Sequence, residues 1–353
     1  MYPFLLSIIN KNFQCVDEFE DHIKEFEKEQ RQKGIIPHDE KYNKRYGYCL
    51  GGSQLSTLFN ENQYKTYNEL IEEIGETRKR GSKAPTIGNY ICGWGNAFED
   101  GVREYLKYLL GCKEIYFNNV CIMDIPGVPY FRYSPDGVAV VNYTKEGELW
   151  TTKNHPSEIA GKKCMLIEIK CPLLRTITDE VPRIYKSQVQ AGLVALNGLA
   201  KEALFVPAKI RLCMLQQLIP NQFYCMRYHT KDGAWPRKCH PLAMGIMDVC
   251  RVKSTGMRCE PIDYCTQPES INGILEQINE RTLVTKISKF IVVNGEEKIE
   301  NIICPQHDLE CIGYLGFKIF DIRIITVEEN PTFRNELVKE IELFFKSVDD
   351  YCS

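Results

Sequence analysis

The sequence predicts an α/β fold, a mixed sheet flanked by helices. Three observations carry that prediction. Over 92–111, Phe98, Val102, Tyr105, Leu106 and Leu109 share one helical face. The period then changes, and short apolar runs bounded by Pro, Gly and Asp between 114 and 228 read as strands. A further helix, with Val189, Leu193 and Leu196 on one side, falls between two of those strands. Strands interleaved with helices close one apolar core in layers.

The elements follow in chain order. Val16–Lys33 is strongly charged with Phe19, Ile23 and Phe26 at helical spacing, a surface helix. Gly51-Gly52-Ser53 precedes a short helix over Gln54–Phe59, which Ser53 can cap. Tyr64–Ile74 is helical and stops at Gly75, before a basic, flexible segment over Thr77–Lys83. The helix over 92–111 ends at Gly111. Glu114–Met123 and Val138–Asn142 are strands, and Pro135-Asp136-Gly137 is the turn into the second. Cys164–Cys171 is a buried strand stopped by Pro172, and Pro182–Leu199 is a helix. Leu204–Val206, Lys209–Leu218 and Phe223–Tyr228 are strands. Residues 232–268 show no period and read as linker or insertion. Ser270–Gln277 is a helix, Ile287–Val293 and Phe317–Val327 are strands, and Pro331–Phe345 is a last amphipathic helix. The expected organisation is a helical segment over 1–40, a core over 41–230 and a C-terminal extension over 231–353.

Composition narrows the functional classes. With 353 residues, 44% hydrophobic and 26% charged, the chain has an ordinary globular mixture, which excludes wholesale disorder and collagen-like repeats. No apolar run reaches the ~20 residues of a membrane helix. The apolar start over 1–10 lacks the basic head and small-residue cleavage site of a signal peptide. A formal charge of −3 excludes a uniformly basic nucleic-acid coater, so any DNA contact is local. The sixteen cysteines are irregularly spaced and form no Cys-x-x-Cys. They read as reduced thiols in an intracellular, reducing environment.

The chemistry concentrates between 94 and 190. Ser134-Pro135-Asp136-Gly137 sets a carboxylate in a tight turn at a strand end. In the apolar strand further on, alternation puts Glu168 and Lys170 on one face and Ile169 on the other. A carboxylate and an ammonium on a buried face are costly unless they pair or ligate a metal. Mg²⁺ takes hard oxygen ligands and keeps several waters, so one or two carboxylates suffice. Asp136, Glu168 and the Ile169 carbonyl are such a donor set, with Glu99 available for a second ion. Lys170 then holds a water or hydroxide for in-line attack on a phosphodiester. An ion pair without metal is the competing reading of the Glu-Ile-Lys triplet alone.

Four words occur in order: Trp94-Gly95-Asn96-Ala97-Phe98-Glu99, Ser134-Pro135-Asp136-Gly137, Glu168-Ile169-Lys170-Cys171-Pro172 and Tyr185-Lys186-Ser187-Gln188-Val189-Gln190. Pro135-Asp136 with Glu168-Ile169-Lys170 matches the PD-(D/E)xK nuclease signature. Together the words resemble the lambda-exonuclease/YqaJ viral recombinase family, over about residues 45–230, and the composition suits a member from a large DNA virus. The resemblance implies a PD-(D/E)XK, restriction-endonuclease-like core. It also implies a Mg²⁺-dependent nuclease, with Mn²⁺ able to substitute and two ions per site. The activity implied is 5′→3′ degradation of one strand from linear duplex ends, leaving 3′ single-stranded tails for recombination or repair. Asp136, Glu168, Glu99 and Ile169 become metal ligands, Lys170 the catalytic lysine and Gln188 a supporting residue. Ser53 and Arg45 become the 5′-phosphate contacts, and Tyr185 stands one helical turn before Gln188.

The resemblance further implies a homotrimeric ring, a single-strand annealing protein as partner, no membrane contact, and a place in host cytoplasm or a viral factory. RecB-like nucleases carry a Tyr four residues after the helix Gln; here Gln188 is followed by Val-Gln-Ala-Gly. Two other functions stay open on sequence: a structure-selective endonuclease with the same metal site, and a non-catalytic DNA-end-binding scaffold. Arg78 and Arg80 lead the sharpest basic cluster and read as phosphate contacts or as a solvated loop. Cys259, Cys265, Cys304, His307 and Cys311 are ligand types for zinc at irregular spacing.

Overall fold

The computed structural model describes residues 16–33, 49–80, 90–123, 125–152, 159–213, 243–252, 262–263, 268–280, 282–293, 296–301 and 309–353. The elements are α1 (Val16–Gln32), β1 (Leu50–Gly51), a single 3₁₀ turn (Gly52–Gln54), α2 (Leu55–Leu58), α3 (Tyr67–Arg80) and α4 (Tyr90–Leu110). There follow β2 (Phe131–Arg132), β3 (Gly137–Thr144), β4 (Ile159–Lys170), α5 (Arg183–Leu196) and β5 (Glu202–Cys213). The chain closes with β6 (Met244–Val252), β7 (Ile262–Asp263), α6 (Pro268–Asn279), β8 (Val284–Val293), β9 (Glu296–Asn301), β10 (Leu309–Ile322), β11 (Ile325–Glu328) and α7 (Phe333–Cys352).

The fold is α/β, as expected. A nine-stranded mixed sheet runs β3-β4-β5-β10-β6-β8-β9, with β11 also on β5 and β7 on β10. Only β4–β5 on the main path is parallel, and α5 is its crossover. Each face of β4 has its own layer. Met165, Ile167 and Ile169 pack towards α4, with Phe98, Val102 and Leu106. Cys164 and Leu166 pack towards α5 and α7, with Val189, Leu193, Leu337 and Phe344. These side chains are buried outright, and each full Leu, Ile or Phe burial is worth about 1.5–3 kcal/mol.

The segment over 231–353 is woven into this body. β10 pairs with β5 on one side and β6 on the other. The closing helix α7 buries Phe333, Leu337, Ile341, Phe344 and Phe345 against the α5 face. Among the described residues no helix is long and apolar enough to cross a membrane.

Several expected boundaries are corrected. The α3 helix runs through Gly75 to Arg80, and Gly75 lies under the ring of Tyr351 from α7, which would have to shift to admit a Cβ. Thr77–Arg80 is therefore helical rather than a flexible segment. Glu114–Met123 is no strand. It makes single bridges at Tyr116–Val138 and Ile122–Tyr133, and positive φ at Phe117 and Asn119 breaks the extended run. Glu202–Cys213 is one strand through Pro207. Its first half pairs with β11 and its second with β10, so the proline sits where the neighbour changes. Met244–Val252, expected to be aperiodic linker, is a buried strand; with both faces covered it carries no alternation to read. Phe317–Val327 divides into β10 and β11. Residues 214–242 lie outside the described part.

Candidate active site

The site forms where β4 ends and β3 begins. Gly137, first residue of β3, pairs with Ile167 of β4, so Asp136 is brought beside Glu168-Ile169-Lys170. Glu168 continues the row of Cys164 and Leu166 and is 1% exposed. Three donors hold its carboxylate. The Tyr133 hydroxyl donates to Oε2 at 2.5 Å, and Lys170 Nζ and Gln188 Nε2 both donate to Oε1. That network is what makes a carboxylate tolerable inside an apolar strand.

Asp136 is tied to the same strand. Its Oδ2 accepts the Ile169 N–H at 2.6 Å and lies 3.9 Å from Lys170 Nζ. Its main-chain carbonyl accepts from Arg103 Nε at 2.8 Å. Arg103, a buried residue of α4, also pairs with Asp100. Glu99 stands one turn before Arg103 on that helix and shares the field of Asp136, Lys170 and Glu168.

The electrostatics are those of crowded carboxylates. Burial, and then the charge of Asp136, push Glu99 up to about 8. Burial also raises Glu168, to about 7, against the pull of Lys170. Burial works to lower Lys170, but Glu168, Asp136 and Glu99 outweigh it and hold the ammonium above its ordinary value. Burial and the Glu168 charge keep Tyr133 protonated, so it is a donor only. Three carboxyl groups face one ammonium, with the Arg103 charge also acting on Glu99, and a divalent cation would take the place of the protons that burial makes them hold.

The donor set fits such a cation. All the candidate ligands are hard oxygens: Asp136, Glu168, Glu99 and the Ile169 carbonyl. Among the described residues no three His, Cys, Asp or Glu side chains are gathered into a group that could hold a metal ion by themselves. Mg²⁺ needs no such group, since it binds through one or two carboxylates and keeps its waters.

The α5 side frames the cluster. Tyr185 packs on Phe205 at 5.5 Å between centroids, and its ring faces Lys170 Nζ at 5.6 Å and Arg175 at 5.4 Å. Gly52 and Gly192 press on the Tyr133 ring from two sides. A Cβ on Gly52 would come within 2.7 Å of it, and one on Gly192 within 2.6 Å of its hydroxyl. Ser53 is thereby held one residue from the Glu168 network. It is exposed, and the turn is capped instead by Gln54, whose Oε1 accepts the Gly51 N–H at 2.9 Å. The expected cap by Ser53 is corrected: no side chain caps α2, and Ser53 is exposed.

Other expected residues stand apart. Arg78 pairs with Asp349 of α7 and lies over the rings of Phe345 and Tyr130 at 4.8 and 5.7 Å. Arg80 pairs with Glu76. Neither makes a contact with the carboxylate cluster among the described residues. Arg45 lies outside the described residues, as do Cys259, Cys265, Cys304 and His307. Cys311 is described and carries a free thiol.

Sequence reasoning missed Tyr133, Arg103 and the two glycines. Arg103 had a signal, four residues after Glu99 on one helical face. Tyr133 had none, since it sits in the run Tyr130-Phe131-Arg132-Tyr133, where an aromatic reads as ordinary strand.

Comparison with known proteins follows from this geometry. Residues 28–195 match the family described as the YqaJ-like viral recombinase domain. The chain is 29% identical over 307 residues to a protein of African swine fever virus, Badajoz strain, covering 85% of this chain and 82% of that one. The counterpart in a Malawi tick isolate is 29% identical over 303 residues, covering 84% and 81%. Among solved structures, the alkaline exonuclease of Laribacter hongkongensis superposes with a TM-score of 0.43 at 12% identity, covering 89% of this chain and 94% of that one.

Proposed function

We propose, from the match of residues 28–195 to the YqaJ-like viral recombinase domain, that the chain is a metal-dependent deoxyribonuclease acting 5′→3′ on linear duplex ends. The observation that carries the reading is the convergence of Asp136, Glu168 and Lys170 at the end of β4, with Tyr133 and Gln188 fixing the Glu168 carboxylate. A structural ion pair has no use for a second carboxylate at 3.9 Å and a third on the facing helix.

Asp136 and Glu168, with the Ile169 carbonyl and Glu99, would hold Mg²⁺. The ion supplies a polarised phosphate and an acidified water. Lys170, kept as an ammonium, donates hydrogen bonds to the attacking oxygen or to the phosphate and offsets the charge that builds there. Gln188 and Tyr133 keep Glu168 from rotating as that charge develops. Arg103 fixes the Asp136 turn through its carbonyl. Ser53, exposed beside Gly52, is placed to receive the terminal phosphate of the strand being degraded. The product is a duplex with a 3′ single-stranded tail, the form an annealing protein takes up. A ring of three copies, through which the duplex passes, is the assembly that this reading favours.

The test is digestion of linear 5′-phosphorylated duplex with and without Mg²⁺, beside closed circular duplex and the Lys170→Ala protein. Loss of the linear DNA alone, dependent on metal and on Lys170, is the expected result. Cutting of the circle would instead indicate a structure-selective endonuclease. Binding without cutting would indicate a scaffold.

A further inference from the structure

Far along the sheet from the carboxylates, Cys311 of β10 stands directly opposite Cys250 of β6. Both thiols are free, and Cys311 Sγ donates to the Gly313 carbonyl at 3.4 Å. Directly opposed residues of antiparallel strands hold their Cβ atoms about 4.5–5.5 Å apart. A disulfide needs about 3.5–4.5 Å, so closure asks for a shift of an ångström or less. The ladder changes register between Cys311 and Gly313, a local irregularity that lets the strand give by that amount. The two cysteines differ in access: Cys250 is 1% exposed while Cys311 is partly open to solvent.

We propose that Cys250 and Cys311 form a redox-active pair, in which a hydroperoxide oxidises Cys311 and Cys250 resolves it to a cross-strand disulfide. The Cys311 thiolate attacks one peroxide oxygen. An S–O bond forms, the O–O bond breaks, and the departing alkoxide or hydroxide takes a proton from water. The Cys250 sulfur then attacks the Cys311 sulfur. An S–S bond forms, the S–O bond breaks, and the hydroxide leaves as water with the Cys250 proton. Two electrons pass from the sulfurs to the peroxide, and a dithiol returns them.

The surroundings suit each role. Hydrogen bonding from Cys250, then from the Gly313 main chain and Tyr314, brings Cys311 down to about 7, against the opposing effect of burial. A thiolate is the reactive species. The Cys250 thiol is raised first by that same hydrogen bond to Cys311 and then by burial. Low-pKa, accessible thiols beside a resolving cysteine are the usual peroxide-sensitive arrangement.

The experiment treats the reduced, full-length chain with one equivalent of hydrogen peroxide under native conditions, alkylates it, and maps cysteines by peptide mass spectrometry. A linked Cys250–Cys311 peptide is expected first, with Cys311 consumed at least about tenfold faster than the exposed Cys92, whose thiol burial raises. Cys250→Ser should leave a sulfenic acid on Cys311 that dimedone captures, and Cys311→Ser should leave Cys250 unmodified. Thermal unfolding of the oxidised wild-type chain should shift upward and return with dithiothreitol. Oxidation of Cys311 no faster than Cys92, or its linkage to another cysteine, overturns the proposal. So does stoichiometric zinc that shields Cys311 from alkylation.

Discussion

The Tyr133 hydroxyl donates to Oε2 of Glu168 at 2.5 Å while Gln188 and Lys170 share Oε1. Oε1 is saturated by two donors, so Oε2 keeps the lone pair that can face a cation, and Tyr133 decides where it points. Tyr133→Phe keeps the ring wedged between Gly52 and Gly192. It should lower Mg²⁺-dependent turnover and raise the Mg²⁺ half-saturation, by about 10–100-fold, as loss of such outer partners does. Isothermal titration with Mg²⁺ and turnover on linear duplex check both. An unchanged metal affinity would make Tyr133 a packing residue only.

Lys170→Ala removes the one ammonium among three carboxylates. Leaving a buried charge unpaired costs about 3–5 kcal/mol, and here the carboxylates escape part of that cost by binding protons. The destabilisation should therefore be smaller at pH 6 than at pH 8. Urea unfolding of wild type and variant at both pH values reads the difference. Turnover should fall by at least about 10²-fold.

Metal and proton compete for the same oxygens. Glu168 and Glu99 are raised from the ordinary carboxylate value of 4.5 to about 7 and about 8, chiefly by burial. Between pH 4.5 and 8 the folded chain thus holds more protons than the unfolded chain. Stability then falls as pH rises through that window. Thermal midpoints in EDTA should decline from pH 5 to pH 8, and Mg²⁺ should flatten the decline while releasing protons. A midpoint in EDTA that climbs over this range would contradict the arrangement.

Much of this was legible because the site is built from short local words. Alternation along Cys164–Lys170 placed Glu168 and Lys170 together, and helical spacing placed Gln188 after Tyr185. What stayed hidden depends on pairing across long separations. Nothing near Tyr133 says that Gly52 and Gly192 close on its ring. Nothing in Met244–Val252 reveals a strand, since burial on both faces removes the alternation. The pairing of Arg78 stayed hidden for the same reason, because its partner Asp349 lies 271 residues away.

Ser53 offers a clean separation of fold from function. Its side chain is exposed, and α2 carries no side-chain cap. Ser53→Ala should leave the thermal midpoint where it is and erase the preference for 5′-phosphate over 5′-hydroxyl ends. A drop in midpoint with preference intact would assign Ser53 to the turn instead.

Arg78 tests the opposite case. Its guanidinium pairs with Asp349 and lies over Phe345 and Tyr130, so it fastens α7 to α3 and to the strand that leads to Tyr133. Cation–π contacts and a part-exposed ion pair together are worth on the order of 1–2 kcal/mol. Arg78→Ala should lose about that much stability. A lost phosphate contact would instead lower the slope of log affinity against log salt by about 1. An unchanged slope with a lower midpoint is expected, because a guanidinium already clasped to a carboxylate and two rings has little to offer a phosphate. A changed slope with full stability would return Arg78 to the DNA surface.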